Sequence, residues 1–301
     1  MNQIDKYYDE LSKYCKITKD VMLSSMTTLR IGGLAAFVAY PESILELDQL
    51  YKTCKKLNLP TKVIGKGSNL LCSDEKFNGV IIKLSQPLTE YYFDKEECVV
   101  QAGCSVVALS TSAMKNGLSG LEFASGIPAS IGGAIFMNAG AYKSSMGDIV
   151  KQVMVYRDQK FEWIDSEECA FSYRKSIFQD NPEWIIVAAK LKLTYGDSKE
   201  IEELIRNRRE KRMSTQPLNF PSAGSVFRNH DDIPAWKIID ELGYRGKSIG
   251  GAKVSEKHVN FIVNYNNSNA KDFLSLVESI QQDAKNKMNY DLKLEVEKFN
   301  W

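Results

Sequence analysis

Three glycine-bearing segments are the places where this backbone could close around a ligand. Gly65, Lys66, Gly67, Ser68 and Asn69 spell GKGSN between two strand-like runs. Glycine permits positive φ there and lets successive N–H groups converge on one anion. Ser68 and Asn69 add side-chain donors. The segment is neither a GxxxxGK[ST] loop nor a GxGxxG turn, so a phosphate nest and a plain tight turn both stay open. The run GIPASIGGAIFMNAGAY (126–142) brings Gly126, Ile127, Pro128, Ser130, Gly132, Gly133, Asn138 and Gly140 together. Pro128 suits a first helical turn, with Ile131, Ile135 and Phe136 as its apolar side. Gly132 and Gly133 would admit another backbone or a flat ligand; a tightly packed helix–strand corner is the plainer alternative. RIGG (30–33), with Arg30, Gly32 and Gly33, follows what reads as a short strand, where two glycines could also be a bulge. A dinucleotide with a pyrophosphate and a large planar ring would need several such close approaches.

The elements that must hold these segments follow from hydrophobic periodicity. Ile44, Leu47, Leu50, Cys54 and Leu57 fall at helical spacing over 43–57. Val63–Ile64 and Gly79–Leu84 read as strands. A strand-rich stretch follows at Tyr91–Phe93, Cys98–Ala102, Ile149–Tyr156, Phe161–Ile164 and Ile185–Leu193, interrupted by a helix after Ser105 that Gly117 closes. Residues 198–213 read as a helix, and QPLNFPSAG (216–224) as a linker or ordered loop. Beyond lie a helix with Trp236, Ile239 and Leu242, a strand Phe261–Asn264 and a long helix bearing Phe273, Leu274, Val277, Ile280 and Ala284. The terminal LKLEVEKF alternates with period two and reads as one strand. The mixture is α+β rather than a doubly wound parallel sheet.

The chain has 301 residues, a net charge of +1, 44% hydrophobic and 26% charged residues. That length suits two or three lobes. The balanced charge gives no global attraction to nucleic acid or an anionic membrane, so any anion must be bound locally. The N-terminal MNQIDKYYDELSKYCK has no apolar core of a targeting signal, and no stretch reaches the roughly 18–20 apolar residues of a membrane span. A cytoplasmic protein is expected. Cys15, Cys54, Cys72, Cys98, Cys104 and Cys169 form no CxxC pair, and His230 and His258 are the two histidines. A zinc site or disulfide framework is not expected.

At this point the sequence resembles the UDP-N-acetylenolpyruvoylglucosamine reductases. TTLRIGG, GKGSNLL, GLEFASGIPASIGGAIFMNAGAY, FSYRKSIF, QPLNFPSAGSVFRN, GGAKVSEKHVNFIVN and LKLEVE occur in that family's order, from about residue 25 to the end. The resemblance implies an FAD-binding fold of the vanillyl-alcohol-oxidase (PCMH) type over 25–195, with subdomains of about 25–88 and 89–195. A substrate domain over 206–301 would follow, its last strand returning to the flavin lobe. It also implies noncovalent FAD, NADPH as reductant, no obligate protein partner, and the shorter family form without a tyrosine-bearing loop. The three glycine segments become the FAD-binding residues. Ala129 stands where the family usually has glycine, and would be strained if the position needs positive φ. Glu297 stands where arginine is usual, and KSSMGD after Tyr142 replaces a glycine-rich form.

The implied reaction reduces the C=C bond of UDP-N-acetylglucosamine enolpyruvate to UDP-N-acetylmuramate, with hydride from flavin N5. Three residues match the family's catalytic positions: Arg174 in SYRKS, Ser225 in AGSVF and Glu295 in LKLEVE. The developing enolate needs stabilisation, and the neighbouring carbon needs a proton. The guanidinium of Arg174 can fork onto a carboxylate. Glu295 can hydrogen-bond the same group only in its neutral form. Ser225 would give the proton. By spacing alone these three read as a surface arginine, an outward strand carboxylate and a turn serine. The resemblance points to Asn229 for the substrate, with Arg228 and Gln216 behind it. The basic run Arg206–Arg212 could steer a diphosphate or be a solvated helix face, and Lys253 and His258 are left unassigned. Another FAD oxidoreductase, such as an oxidase, is the competing reading. Neither histidine lies in the glycine segments, which argues against histidyl tethering of the flavin.

Overall fold

The structure, a computed structural model, describes residues 3–301. It divides into two compact units. Of the described residues, one comprises 3–19, 37–66 and 78–210; the other comprises 20–36, 67–77 and 211–301. The C-terminal unit therefore takes in two segments from the first quarter of the chain, within the span that resemblance assigns to the flavin domain. Three of the five changes of unit fall inside strands, at Lys16–Met22, Leu34–Tyr40 and Phe77–Lys83. A fourth falls within GKGSN and the fifth in the second half of the helix Ser198–Thr215.

The first unit is built on a five-stranded antiparallel sheet. Its order is Lys160–Asp165, Val150–Arg157, Ile185–Lys192, Glu97–Gln101, Tyr91–Asp94. The apolar residues of the expected strands fill the core: Val153, Val155, Ala189, Leu191, Cys98 and Val100 are all fully buried. Burying each of the valine and leucine side chains contributes about 1.5–3 kcal/mol. The helix Val106–Lys115 ends at Asn116, and Gly117 follows at φ +66°, the closure that its glycine predicts. A four-stranded sheet has the order Lys16–Met22, Leu34–Tyr40, Phe77–Lys83, Thr61–Ile64, with Thr61–Ile64 parallel to Phe77–Lys83. The helix Ile44–Lys56 starts at Ser43, whose hydroxyl accepts from the Glu46 N–H.

The second unit packs the helices Ala235–Glu241 and Ala270–Met288 with a three-stranded antiparallel sheet, Ser248–Ile249, Ala252–Val254 and Ile262–Asn264. Phe273, Val277, Ile280 and Ala284 are buried at the expected helical spacing, while Leu274 is only partly covered. Leu29, Ile31 and Leu71 belong to this core.

Several expectations are corrected. RIGG is preceded by a 3-10 turn, Leu23–Met26, and the strand follows the glycines instead of leading into them. Pro128 lies ahead of the helix Ile131–Phe136, whose first turn is capped by Ser130. Ala129 is not among the residues with positive φ, so alanine there carries no such strain. LKLEVEKF is not one strand. Leu294 bridges Phe227, and after Val296 the segment Glu297–Phe299 pairs in parallel with Leu70–Cys72. Leu70–Cys72 clusters with the C-terminal unit. The unusual KSSMGD makes a tight hairpin, Gly140–Ala141 against Ser144–Ser145. Its two central residues, Tyr142 and Lys143, take the positive φ that a two-residue loop demands.

Candidate active site

In the first unit, two of the glycine segments meet. A Cβ built on Gly65 would lie 2.1 Å from the Ser130 hydroxyl, so only glycine lets this turn sit against the helix start. Lys66 Nζ donates to Ser105 Oγ at 2.8 Å, and Ser105 bridges Ser130 in antiparallel fashion. The Gly65 carbonyl accepts from Lys83 Nζ at 2.5 Å and from Ser85 Oγ at 3.1 Å. Among the described residues, no acceptor takes the N–H groups of Gly65, Lys66, Gly67, Ser68 or Asn69. Amides left unclaimed by the protein are open to water or a ligand. In the first unit, the N–H groups of Gly65 and Lys66 together with the cations of Lys66 and Lys83 fit an anionic group such as a pyrophosphate. Lys83 is 9% exposed. Burial, with a smaller push from the like charge of Lys66, brings its pKa down to about 8.

The rest of 126–142 is largely spent on the protein itself. The N–H of Gly132 donates to the Ala102 carbonyl at 2.8 Å, and its missing side chain makes room for the Ala102 methyl. Gly133 donates to Ser130, and Ile127 and Ala129 make local turns. Asn138 gives its amide to the Ser172 carbonyl and accepts the Gly147 N–H, both at 2.8 Å. Gly140 offers its carbonyl to Arg174 Nη2 at 2.9 Å.

Arg174 sits in a tight turn closed by reciprocal bonds between Ser172 and Lys175. Its φ is +56°, a conformation that costs a non-glycine residue about 1 kcal/mol or more. The turn is held in place by Asn138 on one side and by Gln179 on the other. Gln179 Nε2 reaches the Arg174 carbonyl at 3.1 Å and the Phe136 carbonyl at 3.0 Å. The guanidinium lies 5.2 Å from the Tyr173 ring centroid.

In the second unit, Ser225 and Glu295 lie on paired segments. Glu295 N donates to the Val226 carbonyl at 2.8 Å, and Arg228 N donates to the Lys293 carbonyl at 2.9 Å. The 225–228 segment is fixed again by Asn260. Its side chain accepts from Phe227 N at 3.0 Å and donates to Phe227 O at 2.9 Å, while its carbonyl takes the Val226 N–H. The Ser225 hydroxyl itself has no partner among the described residues. Asn69 clamps the other partner: its amide donates to the Glu295 carbonyl, and its own carbonyl accepts from Glu297 N, both at 2.9 Å. Arg228 Nε and Gln216 Oε1 are buried without a hydrogen-bond partner among the described residues. Each such group costs about 1–3 kcal/mol until a ligand or water pairs it. Asn229 is exposed and accepts from Ala235 N at 3.2 Å, capping the following helix.

The RIGG glycines also serve packing. A Cβ on Gly33 would meet the Asp74 carbonyl oxygen at 2.1 Å, and one on Gly32 the Cys72 Cβ at 2.6 Å. Arg30 is exposed beside a cleft of about 370 Å³ lined also by Asp74, Asn264 and Tyr265. Arg206, Arg209 and Lys211 lie on an exposed helix face, with Arg208 stacked 4.7 Å from the Tyr142 ring. Lys253 pairs with Glu256 at 2.7 Å, and burial lowers the pKa of His258.

Sequence reasoning missed Lys83, Ser85, Asn260 and Gln179. A lysine closing the apolar run GVIIK and an asparagine inside VNFIV were the available signals: a polar group in a buried strand needs a reason. Gln179 and Ser85 carry no such mark.

Residues 35–159 match the model of an FAD-binding domain, and residues 216–299 match that of the C-terminal domain of UDP-N-acetylenolpyruvoylglucosamine reductase. The chain is 43% identical to the UDP-N-acetylenolpyruvoylglucosamine reductase of Bacillus licheniformis over 297 residues, 98% of each chain. It is 41% identical to that of Bacillus subtilis over 283 residues, 94% of this chain and 93% of the relative. The crystal structure of UDP-N-acetylenolpyruvylglucosamine reductase from Thermus caldophilus superposes with a TM-score of 0.83 at 35% identity, covering 95% of this chain and all of that one. An alkyldihydroxyacetonephosphate synthase, 16% identical, shares the fold over 64% of this chain at a TM-score of 0.51.

Proposed function

The chain belongs to the UDP-N-acetylenolpyruvoylglucosamine reductase family, and from that membership we infer the reaction and the parts its residues play. It is an FAD-dependent oxidoreductase that uses NADPH to reduce UDP-N-acetylglucosamine enolpyruvate to UDP-N-acetylmuramate, a step of peptidoglycan precursor synthesis. The end-to-end match at 43% identity carries this reading.

The unclaimed amides of Gly65 and Lys66, with the Lys66 side chain and Ser130, would hold the pyrophosphate of FAD. Bound there, FAD supplies the hydride. The rest of the chemistry falls to side chains. Arg174, pre-set by its strained and doubly pinned turn, would grip the substrate carboxylate and balance the charge that spreads into it. Because the turn is rigid, little reorganisation is needed as that charge develops. Ser225 would give its hydroxyl proton to the carbon next to the carboxylate. Its loop is fixed by Asn260 and by the 293–295 segment, while the hydroxyl stays unengaged. Glu295 would add a hydrogen bond to the same enolate, in its neutral form. Arg228 Nε and Gln216 Oε1, both lacking a partner, suit the diphosphate and a hydroxyl or N–H donor of the UDP-sugar. Asn229 stands beside Arg228 and would reach the same ligand. A cytoplasmic setting goes with this reading.

The test is anaerobic. NADPH should bleach the yellow protein, and the enolpyruvyl substrate should restore its colour. Ser225→Ala should keep the bleaching and lose the restoration. Restoration of that variant at the parental rate rejects the proton-donor assignment, and restoration of the parent by oxygen alone favours an oxidase.

A further inference from the structure

We propose that Lys83 and Ser85 are positioning residues for the cofactor: by gripping the Gly65 carbonyl they aim the Lys66 N–H at the pyrophosphate. The inference rests on FAD being the cofactor.

The peptide unit joining Gly65 to Lys66 is trans, as are the peptide bonds among the described residues, and a trans peptide unit is planar. Its C=O and N–H therefore point to opposite sides. Lys83 Nζ and Ser85 Oγ both donate to the Gly65 oxygen, so they fix one end of the unit and with it the direction of the Lys66 N–H at the other. That N–H has no acceptor among the described residues. On the side where a side chain would stand, Gly65 packs against the Ser130 hydroxyl.

Charge supports the same assignment. Lys83 ends a strand whose Val80, Ile81 and Ile82 are fully buried, and it is nearly buried itself. No carboxylate among the described residues pairs with it, and the charge acting on it is the like-signed Lys66. A buried cation without a counter-ion is destabilising. This cation, the partly exposed Lys66 and the unclaimed amides of Gly65 and Lys66 form a cluster that a diphosphate completes. A lysine kept only to pin a turn would need neither the second cation nor the open amides.

The experiment measures FAD binding to apo-protein by quenching of flavin fluorescence, with ³¹P spectra of the bound FAD. For Lys83→Met the dissociation constant should rise on the order of 10–100-fold, the usual worth of a hydrogen bond to a charged group, and the pyrophosphate resonances should move. The melting temperature of the apo-protein should not fall, since an apolar chain replaces a buried charge. Lys83→Arg should recover part of the affinity. Ser85→Ala should weaken FAD about threefold, with resonances moving in the same sense. Unchanged resonances and affinities within about twofold in both Lys83→Met and Ser85→Ala overturn the proposal. So does a lowered melting temperature with intact FAD affinity in Lys83→Met. If Lys83→Met does not fold, unchanged resonances in Ser85→Ala overturn it alone. A parent protein that takes up no FAD instead undoes the cofactor reading.

Discussion

Replacing Asn260 by Asp changes one atom type and tests how the serine loop is held. Asn260 is 4% exposed and meets Phe227 twice, accepting its N–H and donating to its carbonyl. Asn260→Asp keeps the acceptor and the volume but points a carboxylate oxygen at the Phe227 carbonyl. The lost bond is worth about 1 kcal/mol, and the unpaired buried carbonyl facing an anion adds about 1–3. A deficit of about 2–4 kcal/mol is expected at pH 8, a large share of a typical total of about 5–15. Only the neutral acid can donate to the carbonyl, so the introduced carboxyl should titrate higher in the folded than in the unfolded protein. The folded state then binds more protons, and its stability falls as pH rises through the folded pKa. The deficit should therefore be smaller at pH 5 than at pH 8 when each is compared with the parent. Ser225 lies two residues before Phe227, so reoxidation by substrate should slow while NADPH bleaching persists. Each 1.4 kcal/mol of lost alignment is about tenfold in rate. Thermal melts at both pH values and stopped-flow of the two half-reactions measure this. Equal deficits at pH 5 and pH 8, or an unchanged reoxidation rate, would refute the reasoning.

Gly33→Ala should destabilise by about 3 kcal/mol or more, because the new methyl would stand 2.1 Å from a backbone oxygen of Asp74 that cannot turn aside; denaturant titration measures it. Lys83 offers a pH test. Its folded pKa of about 8 lies below the roughly 10.4 of the unfolded chain. Between those values the unfolded state binds more protons, so the stability of the apo-protein should rise with pH there. A bound pyrophosphate would favour the ammonium form and raise that pKa. FAD binding at pH 8.5 should accordingly take up a fraction of a proton, seen as a buffer-dependent heat in calorimetry. No uptake would mean that the anion lies away from Lys83.

Much of the scaffold is legible in the sequence because its strands and helices bury one regular face. The stretch 150–157 alternates in part, 185–189 is an apolar run buried throughout, the 270–288 helix repeats every three to four residues, and Gly117 marks a helix end. Glycines are harder. GKGSN and RIGG look equivalent as strings, yet Gly32 and Gly33 are consumed by contact with Cys72 and Asp74, while the amides of GKGSN stay open. A string does not say what faces a missing side chain. The tail misleads for a related reason. LKLEVEKF alternates regularly, but its partners change from Phe227 to Leu70–Cys72 along its length. Asn138 reads as a ligand donor, and only the distant Ser172 and Gly147 reveal that both ends of its amide are engaged. Asn260, Gln179 and Lys83 act through backbone groups far away in sequence, so no local pattern announces them.

The threading of the chain has a practical corollary for anyone shortening the gene. The stretch after Lys211 looks like a self-contained module and matches a domain model of its own. Its hydrophobic interior, however, is completed by Leu29, Ile31 and Leu71 from the distant N-terminal third. A polypeptide beginning at Lys211 would emerge with three aliphatic plugs missing and would lose the strand that Glu297–Phe299 pairs with. Supplying residues 20–36 and 67–77 as separate peptides, or splicing them on by circular permutation, is what such a fragment would require.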